Sequence, residues 1–184
     1  MSHTQHPDPG SLLEKSRLVF DREQVMAAVD RMAADINAFY GDEPIVMIAV
    51  MTGAIIPAAW LATRLKMPMQ IDFVHATRYQ SGLYGAELEY RVPPRLDLAG
   101  RKVLVVDDIF DEGDTLAAIK GSCEKRGAES VRLAVLVRKT HERGLPRDYA
   151  DFVGLDVPDV YVFGCGMDAY EEWRHLDRIL ALEE

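Results

Sequence analysis

Residues 103–116, VLVVDDIFDEGDTL, hold the densest set of side chains able to do chemistry in this sequence. An apolar run, 103–106, leads straight into two acids, Asp107 and Asp108. Ile109 and Phe110 follow, then Asp111, Glu112, Gly113, Asp114 and Thr115, then a helical pattern. That order predicts a strand end, a tight turn and a helix N-terminus. Backbone N–H groups at such a junction converge and attract an anion. Gly113 permits a positive φ or the close approach of a ligand, and Thr115 offers a hydroxyl to a phosphate oxygen. Asp107 and Asp108 fall at the carboxyl end of the strand, where open α/β sheets bind ligands. A pair of carboxylates there suits vicinal hydroxyls or Mg²⁺. The competing reading is an acidic turn whose carboxylates only cap the helix.

The elements that must hold this turn are legible as alternating patterns. Four apolar runs, 45–51 (IVMIAVM), 103–106 (VLVV), 133–137 (LAVLV) and 160–163 (VYVF), read as strands buried on both faces of a parallel sheet. Residues 70–77 (QIDFVHAT) and 151–155 (DFVGL) are weaker strand candidates. Asp21 is placed to cap a helix whose apolar stripe is Val25, Ala28, Val29, Met32, Ile36 and Phe39. Residues 55–65 and 114–126 read as further helices, the latter ended by Gly127, and 170–182 as a fourth. Strand and helix alternate, so the chain is expected to be one α/β domain around a parallel sheet. Residues 78–98 break the rhythm. Glu87, Glu89 and Arg91 alternate with Leu88, Tyr90 and Val92 up to Pro93-Pro94, the pattern of a strand or hairpin in a lid or a passive loop.

Composition narrows the function. The 184 residues, 48% hydrophobic and 28% charged, are those of a globular chain rather than a disordered one. Thirty acids against 21 Lys and Arg give a net charge of −9, which argues against nucleic acid as a partner. A small phosphorylated ligand stays compatible, because local N–H groups or a bound Mg²⁺ reverse the local sign. Cys123 and Cys165 are the only cysteines, which suggests a reducing compartment. Residues 1–10, MSHTQHPDPG, carry no signal-peptide pattern, and no apolar run approaches the ~18 residues of a bilayer span. A cytoplasmic protein without membrane contact is expected, with a flexible tail over residues 1–15 and a single domain over 16–184.

Four weaker motifs accompany the acidic turn. Met51-Thr52-Gly53-Ala54 follows the first apolar run, Arg78-Tyr79 opens the 78–98 excursion, and Lys139 ends LAVLVRK with Arg138 as its one-step alternative. Residues 159–174, DVYVFGCGMDAYEEWR, hold Tyr161, Val162, Asp168 and Arg174. Within them GCGMDA fits a relaxed dinucleotide fingerprint, but only fifteen residues follow it, too few for the βαβ unit that fingerprint needs. His75, His141 and His175 have no nucleophile or ligand spacing around them and read as structural or exposed.

VLVVDDIFDEGDTL is similar to the PRPP-binding motif of the type I phosphoribosyltransferases, and its setting resembles their hypoxanthine-guanine branch; the likeness runs from about residue 45 to 174 with the motifs in order. The resemblance implies a type I phosphoribosyltransferase fold with a parallel-sheet core, a mobile lid near 78–98, and a hood from the N-terminal region and residues 151–184. It implies Mg²⁺-dependent purine salvage, in which hypoxanthine or guanine plus PRPP gives IMP or GMP plus pyrophosphate, by a homodimer or homotetramer. On this likeness Asp107 and Asp108 bind the ribose hydroxyls, and through them face Mg²⁺, while Asp111 is the general base or acid at purine N7. The 111–115 turn (Asp111, Glu112, Gly113, Asp114, Thr115) cradles the 5′-phosphate; because carboxylates repel a phosphate, Glu112 and Asp114 are expected to point outward or to hydrogen-bond within the loop. Thr52, Gly53 and Arg174 contact pyrophosphate, and Arg78 and Tyr79 belong to the lid. Lys139 donates to purine O6, Tyr161 stacks on the ring, the Val162 backbone reads the base edge, and Asp168 ligates Mg²⁺. The sequence departs from the pattern at Thr52, Ala54, Arg78, Glu112 and Asp114. A nucleotide-sensing regulator is the alternative the fold allows; the charge of −9 and the lack of a separable DNA-binding segment count against it.

Overall fold

The computed structural model describes residues 8–79 and 87–183. Strands β2 (Ile45–Val50), β3 (Met69–Tyr79), β4 (Glu87–Val92), β5 (Lys102–Phe110), β6 (Ser130–Lys139) and β7 (Phe152–Val157) form a six-stranded sheet in the order β4-β3-β2-β5-β6-β7. All pairings are parallel except β3 with β4, which form an antiparallel hairpin at one edge. Every residue of β2 is buried, so its uninterrupted apolar sequence meets cover on both faces.

Helix α2 (Arg22–Tyr40) opens with a capping box between Asp21 and Gln24 and ends at Gly41, whose φ is 58°. It packs on β7 and on α3 (Ile55–Ala62), while α4 (Asp114–Lys125) packs on β4, β5 and β6. The buried stripe of α2 includes Ala33 and Tyr40, whereas Phe39, expected in it, is 53% exposed and sits edge-on to Phe152 beneath Arg132.

The strand order decides where a ligand can go. From β2 the chain crosses through α3 to β3 on one side; from β5 it crosses through α4 to β6 on the other. Right-handed crossovers in opposite directions put α3 and α4 on opposite faces and open a crevice at the carboxyl ends of β2 and β5.

Three expectations are corrected. The 160–163 run does not join the parallel sheet: β8 (Val162–Phe163) pairs antiparallel with β9 (Ile179–Leu182), which pairs with β1 (Ser16–Phe20). This second sheet has its own small core of Leu12, Phe163, Ala169 and Leu180, while Val162 of the same run faces the main core, so the run's apolar residues bridge the two cores. Residues 170–182 are not a helix. Tyr170, Glu171 and Trp173 have φ of 54°, 70° and 65°, the Glu171 N–H donates to Asp168 (2.8 Å), and Arg174 donates to the Gly166 carbonyl (2.7 Å). Side chain–backbone bonds of this kind compete with helical ones. Residues 9–14, expected as part of a flexible tail over 1–15, are helical; residues 1–7 lie outside the described residues. Helix α1 (Pro9–Glu14) is capped by Asp8, buries Leu12, and accepts a hydrogen bond at the Pro9 carbonyl from the Trp173 indole (3.0 Å).

Asp72, buried on β3, ties the return of the hairpin to the sheet. Its carboxylate accepts the N–H groups of Phe73 (2.9 Å), Arg95 (2.7 Å) and Leu96 (2.8 Å). Burial raises its pKa, but the three N–H donors outweigh that and hold it below the ordinary carboxylate value. The stability it contributes is therefore present above the unfolded pKa and lost as pH falls through the folded one. Asp72→Ala strands donors worth about 1–3 kcal/mol each; urea unfolding at pH 7 should show a lower midpoint, and the gap to wild type should narrow on acidification.

Candidate active site

Three loops meet at the crevice between β2 and β5. The first is the strand-to-helix turn after β2, where the Met51–Thr52 peptide is cis and Thr52 is exposed. The second is the turn from β5 into α4. The third is the 164–168 turn. Gly53 is pinned from two sides: a Cβ there would run into the Asp108 carboxylate, and a Cβ on Gly166 would run into the Gly53 carbonyl. Both glycines are steric requirements of loops in contact.

Asp107 and Asp108 lie at the end of β5, as the sequence indicates. The Asp108 N–H donates to Asp107 Oδ1 at 2.9 Å. Burial pushes both carboxyls up. For Asp107 the adjacent negative charge and the hydrogen bond between the two side chains add to burial and raise it well above the ordinary value. For Asp108 that same bond and the nearby Arg174 charge act against burial, and it rises less. Among the described residues no ion pair reaches either acid, so their charge is left for a guest to answer.

Beyond them, Gly113 has φ 85° at the start of α4, and a Cβ there would meet the Phe110 ring at 2.6 Å. The turn 111–115, with Asp107 and Asp108, lines a cavity of about 360 Å³ at the N-terminus of this twelve-residue helix. Glu112 is within 3.6 Å of the Arg143 guanidinium, which offsets its charge at the rim, and Asp114 stands in the first turn of α4.

The structure resolves the register at the end of β6. Arg138 binds Asp156 with two nitrogens (2.7 and 3.0 Å), whereas Lys139 Nζ lies 2.9 Å from Asp111 Oδ2. Lys139 faces the site. A second cavity, about 180 Å³, is lined by Asp108, Ile109, Lys139, Tyr161, Val162, Met167 and Asp168. It shares Asp108 and Ile109 with the first, so the two cavities are neighbours; Asp111 lines the first and Lys139 the second. Tyr161 is 48% exposed and stacks with Tyr170, centroids 6.3 Å apart. Asp168 pairs with Arg174 at 2.6 Å.

Sequence reasoning missed His141 and Asp159. His141, read as structural or exposed, is half-buried with Nε2 2.5 Å from Asp111 Oδ1, and Lys139 lies 3.7 Å from Asp159. Burial alone would raise Asp111, but hydrogen bonds from Lys139 and His141 prevail and lower it. Asp111, His141 and Asp159 bring three metal-type ligand atoms within 4.8 Å of one another, but Lys139 and Arg143 already neutralise the two acids. No spacing signal marks His141; only the course of the loop after β6 brings it in. Arg78 and Tyr79 end β3, their side chains lie outside the described residues, and so does the 80–86 part of the lid.

A doubly wound sheet with a cavity at a helix N-terminus and a second cavity beside it defines an α/β protein with a ligand site at its strand ends. The model of the phosphoribosyl transferase domain matches residues 19–172, and the chain belongs to that family. It is 32% identical over 169 residues to the hypoxanthine-guanine phosphoribosyltransferase of Mycobacterium avium, spanning 88% of this chain and 82% of that one. The hypoxanthine-guanine-xanthine phosphoribosyltransferase of Tritrichomonas foetus is 28% identical, spanning 91% and 92%. Among solved structures, a hypoxanthine-guanine phosphoribosyltransferase of Bacillus anthracis superposes with a TM-score of 0.81 at 28% identity, covering 90% of this chain and 97% of that one. A hypoxanthine phosphoribosyltransferase of Trypanosoma cruzi, a mutant in a ternary substrates complex, gives 0.85 at 27% identity over 92% and 97%.

Because Gly53 abuts Asp108, Gly53→Ala must push that carboxylate out of place. Calorimetric titration with a purine nucleoside monophosphate should show affinity weakened about tenfold or more, roughly 1.4 kcal/mol, with the unfolding temperature little changed.

Proposed function

We propose that the protein is a purine salvage phosphoribosyltransferase that joins hypoxanthine or guanine to PRPP, giving IMP or GMP and pyrophosphate with Mg²⁺. The observation that carries this reading is the Asp111–Lys139 pair (2.9 Å), one member lining the cavity at the start of α4 and the other the neighbouring cavity beside Tyr161. An acceptor and a donor are thereby presented side by side to the edge of one planar base.

In this reading the 5′-phosphate sits on the N–H groups of the 112–115 turn and the Thr115 hydroxyl. Asp107 and Asp108 accept the ribose hydroxyls. The raised pKa of the pair favours a guest that donates hydrogen bonds or carries positive charge. The purine lies between Tyr161 and the cavity wall, with the Val162 backbone at its edge. Lys139 donates to O6; an ammonium has no acceptor, so a 6-oxo group is preferred to a 6-amino group. As the bond from C1′ to pyrophosphate breaks, N9 forms the new bond to C1′, and Asp111 takes the proton leaving N7. Its lowered pKa keeps it ionised for that role. The cationic character that develops at C1′ is stabilised by the neighbouring acids. Thr52, Gly53 and Arg174 hold the departing pyrophosphate.

The donor set fits a hard divalent cation: buried carboxylates without a counter-ion, and Asp168, half-open beside Arg174. Held by Asp168, with Asp107 and Asp108 acting through the ribose hydroxyls, Mg²⁺ would offset charge on pyrophosphate. No helix among the described residues is long and apolar enough to cross a membrane. Both cysteines are free and buried, with thiol pKa values pushed by burial to about 11 and about 12, which suits a reducing cytoplasm. The exposed Ile71 and Phe73 on β3 would suit the contact of a homodimer or homotetramer.

An absorbance assay with hypoxanthine, guanine, xanthine and adenine, each with PRPP and Mg²⁺, tests the reading. Turnover of hypoxanthine or guanine and none of adenine is expected; no turnover of any base contradicts it. Asp111→Asn should lower kcat by about 10²–10⁴-fold with PRPP still bound, measured by equilibrium dialysis. An unchanged kcat would remove Asp111 from the chemistry.

A further inference from the structure

Asp111 is held by two donors, one on each oxygen: Lys139 on Oδ2 (2.9 Å) and His141 on Oδ1 (2.5 Å). We propose that His141 is a positioning residue for Asp111, acting as a neutral imidazole that donates from Nε2 and so fixes the carboxylate plane in front of the purine. The inference rests on the functional reading above and adds a residue that no motif in the sequence marks.

The tautomer follows from geometry. The backbone N–H of Arg143 donates to His141 Nδ1 at 3.2 Å. A peptide N–H is a donor only, so Nδ1 is the bare nitrogen and the ring proton of the neutral form is on Nε2, directed at Asp111. The Arg143 N–H is itself held in place. Its guanidinium is gripped by both oxygens of Asp159 (2.7 and 3.0 Å) and lies 3.6 Å from Glu112. The Leu145 N–H donates to the Glu112 carbonyl (2.9 Å). Gly144, at φ 76°, packs so closely that a Cβ would overlap the Glu112 backbone. Residues 141–145 thus form a brace joining the turn after β5 to the segment leading to Tyr161.

The charged groups around the ring are Asp111 and Glu112 from that turn, Lys139 from β6, Arg143 from its own loop and Asp159 from the segment before β8. His141 has a side-chain exposure of only 7%, so water competes little for its bond to Asp111. With His141 absent, Lys139 is the remaining hydrogen-bond partner of the Asp111 side chain among the described residues. The carboxylate is then free to turn both oxygens onto the ammonium, away from N7, and to draw Lys139 from O6. His141 also stabilises the ionised form; losing it raises the Asp111 pKa. The acid limb of kcat/KM, which reports Asp111 ionisation, then moves to higher pH.

The test combines kinetics with a readout independent of turnover. His141→Ala should lower kcat about 10- to 100-fold, leave KM for PRPP within about twofold, and move the acid limb upward. His141→Gln, whose amide nitrogen reaches the Nε2 position, should recover most of kcat and restore the limb. ¹⁵N NMR of histidine-labelled full-length protein should show a His141 ring protonated at Nε2 and bare at Nδ1. Wild-type kcat and acid limb in His141→Ala would overturn the proposal, as would a Gln variant no better than Ala or a neutral ring protonated at Nδ1. If the wild-type protein transfers no phosphoribosyl group, the functional reading fails, and the ¹⁵N spectrum still decides the tautomer.

Discussion

Two adjacent carboxyls at the buried end of the central strand set the terms for the rest of the molecule. Asp107 and Asp108 stand where β2 and β5 diverge, without an ion-pair partner among the described residues. Two unit charges 4 Å apart repel by ~4 kcal/mol at an effective dielectric of 20. Burial first, then the neighbouring charge and the hydrogen bond between the two side chains, raise the Asp107 pKa well above the ordinary carboxylate value. A cavity with such a wall favours hydroxyl donors and cations, which is what a ribose with a developing positive charge at C1′ provides. The close contacts around the acids follow: a Cβ on Gly53 would displace Asp108, and Gly166 in turn presses on Gly53.

An acidic protein that holds phosphates must separate its two kinds of charge. Here the separation is by atom type rather than by region. The 111–115 turn lines its cavity at the start of α4, where free N–H groups gather, while Glu112 is matched with Arg143. Several acids near the site have a cation beside them: Lys139 at Asp111, Arg174 at Asp168, Arg143 at Asp159 and Glu112. Lys139 lines the second cavity and Arg174 is paired with Asp168, which lines it too; the functional reading places O6 and pyrophosphate at these two cations.

The sheet was legible because its strands announce themselves by burial on both faces. β2, β5 and β6 read as unbroken apolar runs, and the hairpin strand β4 shows as an alternation ended by Pro93-Pro94. The acidic turn was legible for a similar reason, since a strand, a glycine and a helix start in that order leave few backbone solutions. The second sheet was not. β8 is two residues long, and the 170–182 segment has helix-compatible composition but folds around Asp168 and Arg174 through bonds no periodicity encodes. Leu12 and the cap at Asp8 make an ordered helix of part of an apparent tail, because the apolar partner, Phe163, lies 151 positions away in sequence. His141 escaped notice on the same ground. Its partner Asp111 is 30 residues distant, and only the one-residue difference between Arg138 and Lys139 in the direction they face brings the following loop over the site.

The central claim is that one acidic turn holds a sugar phosphate by its amides while its carboxyls face the sugar. A crystal structure of the protein grown with IMP or GMP and Mg²⁺ tests it most directly. The account predicts the phosphate within hydrogen-bond distance of the 112–115 N–H groups, the ribose hydroxyls on Asp107 and Asp108, and O6 against Lys139. A nucleotide bound in another cavity, or one whose phosphate is turned away from the α4 N-terminus, would contradict it.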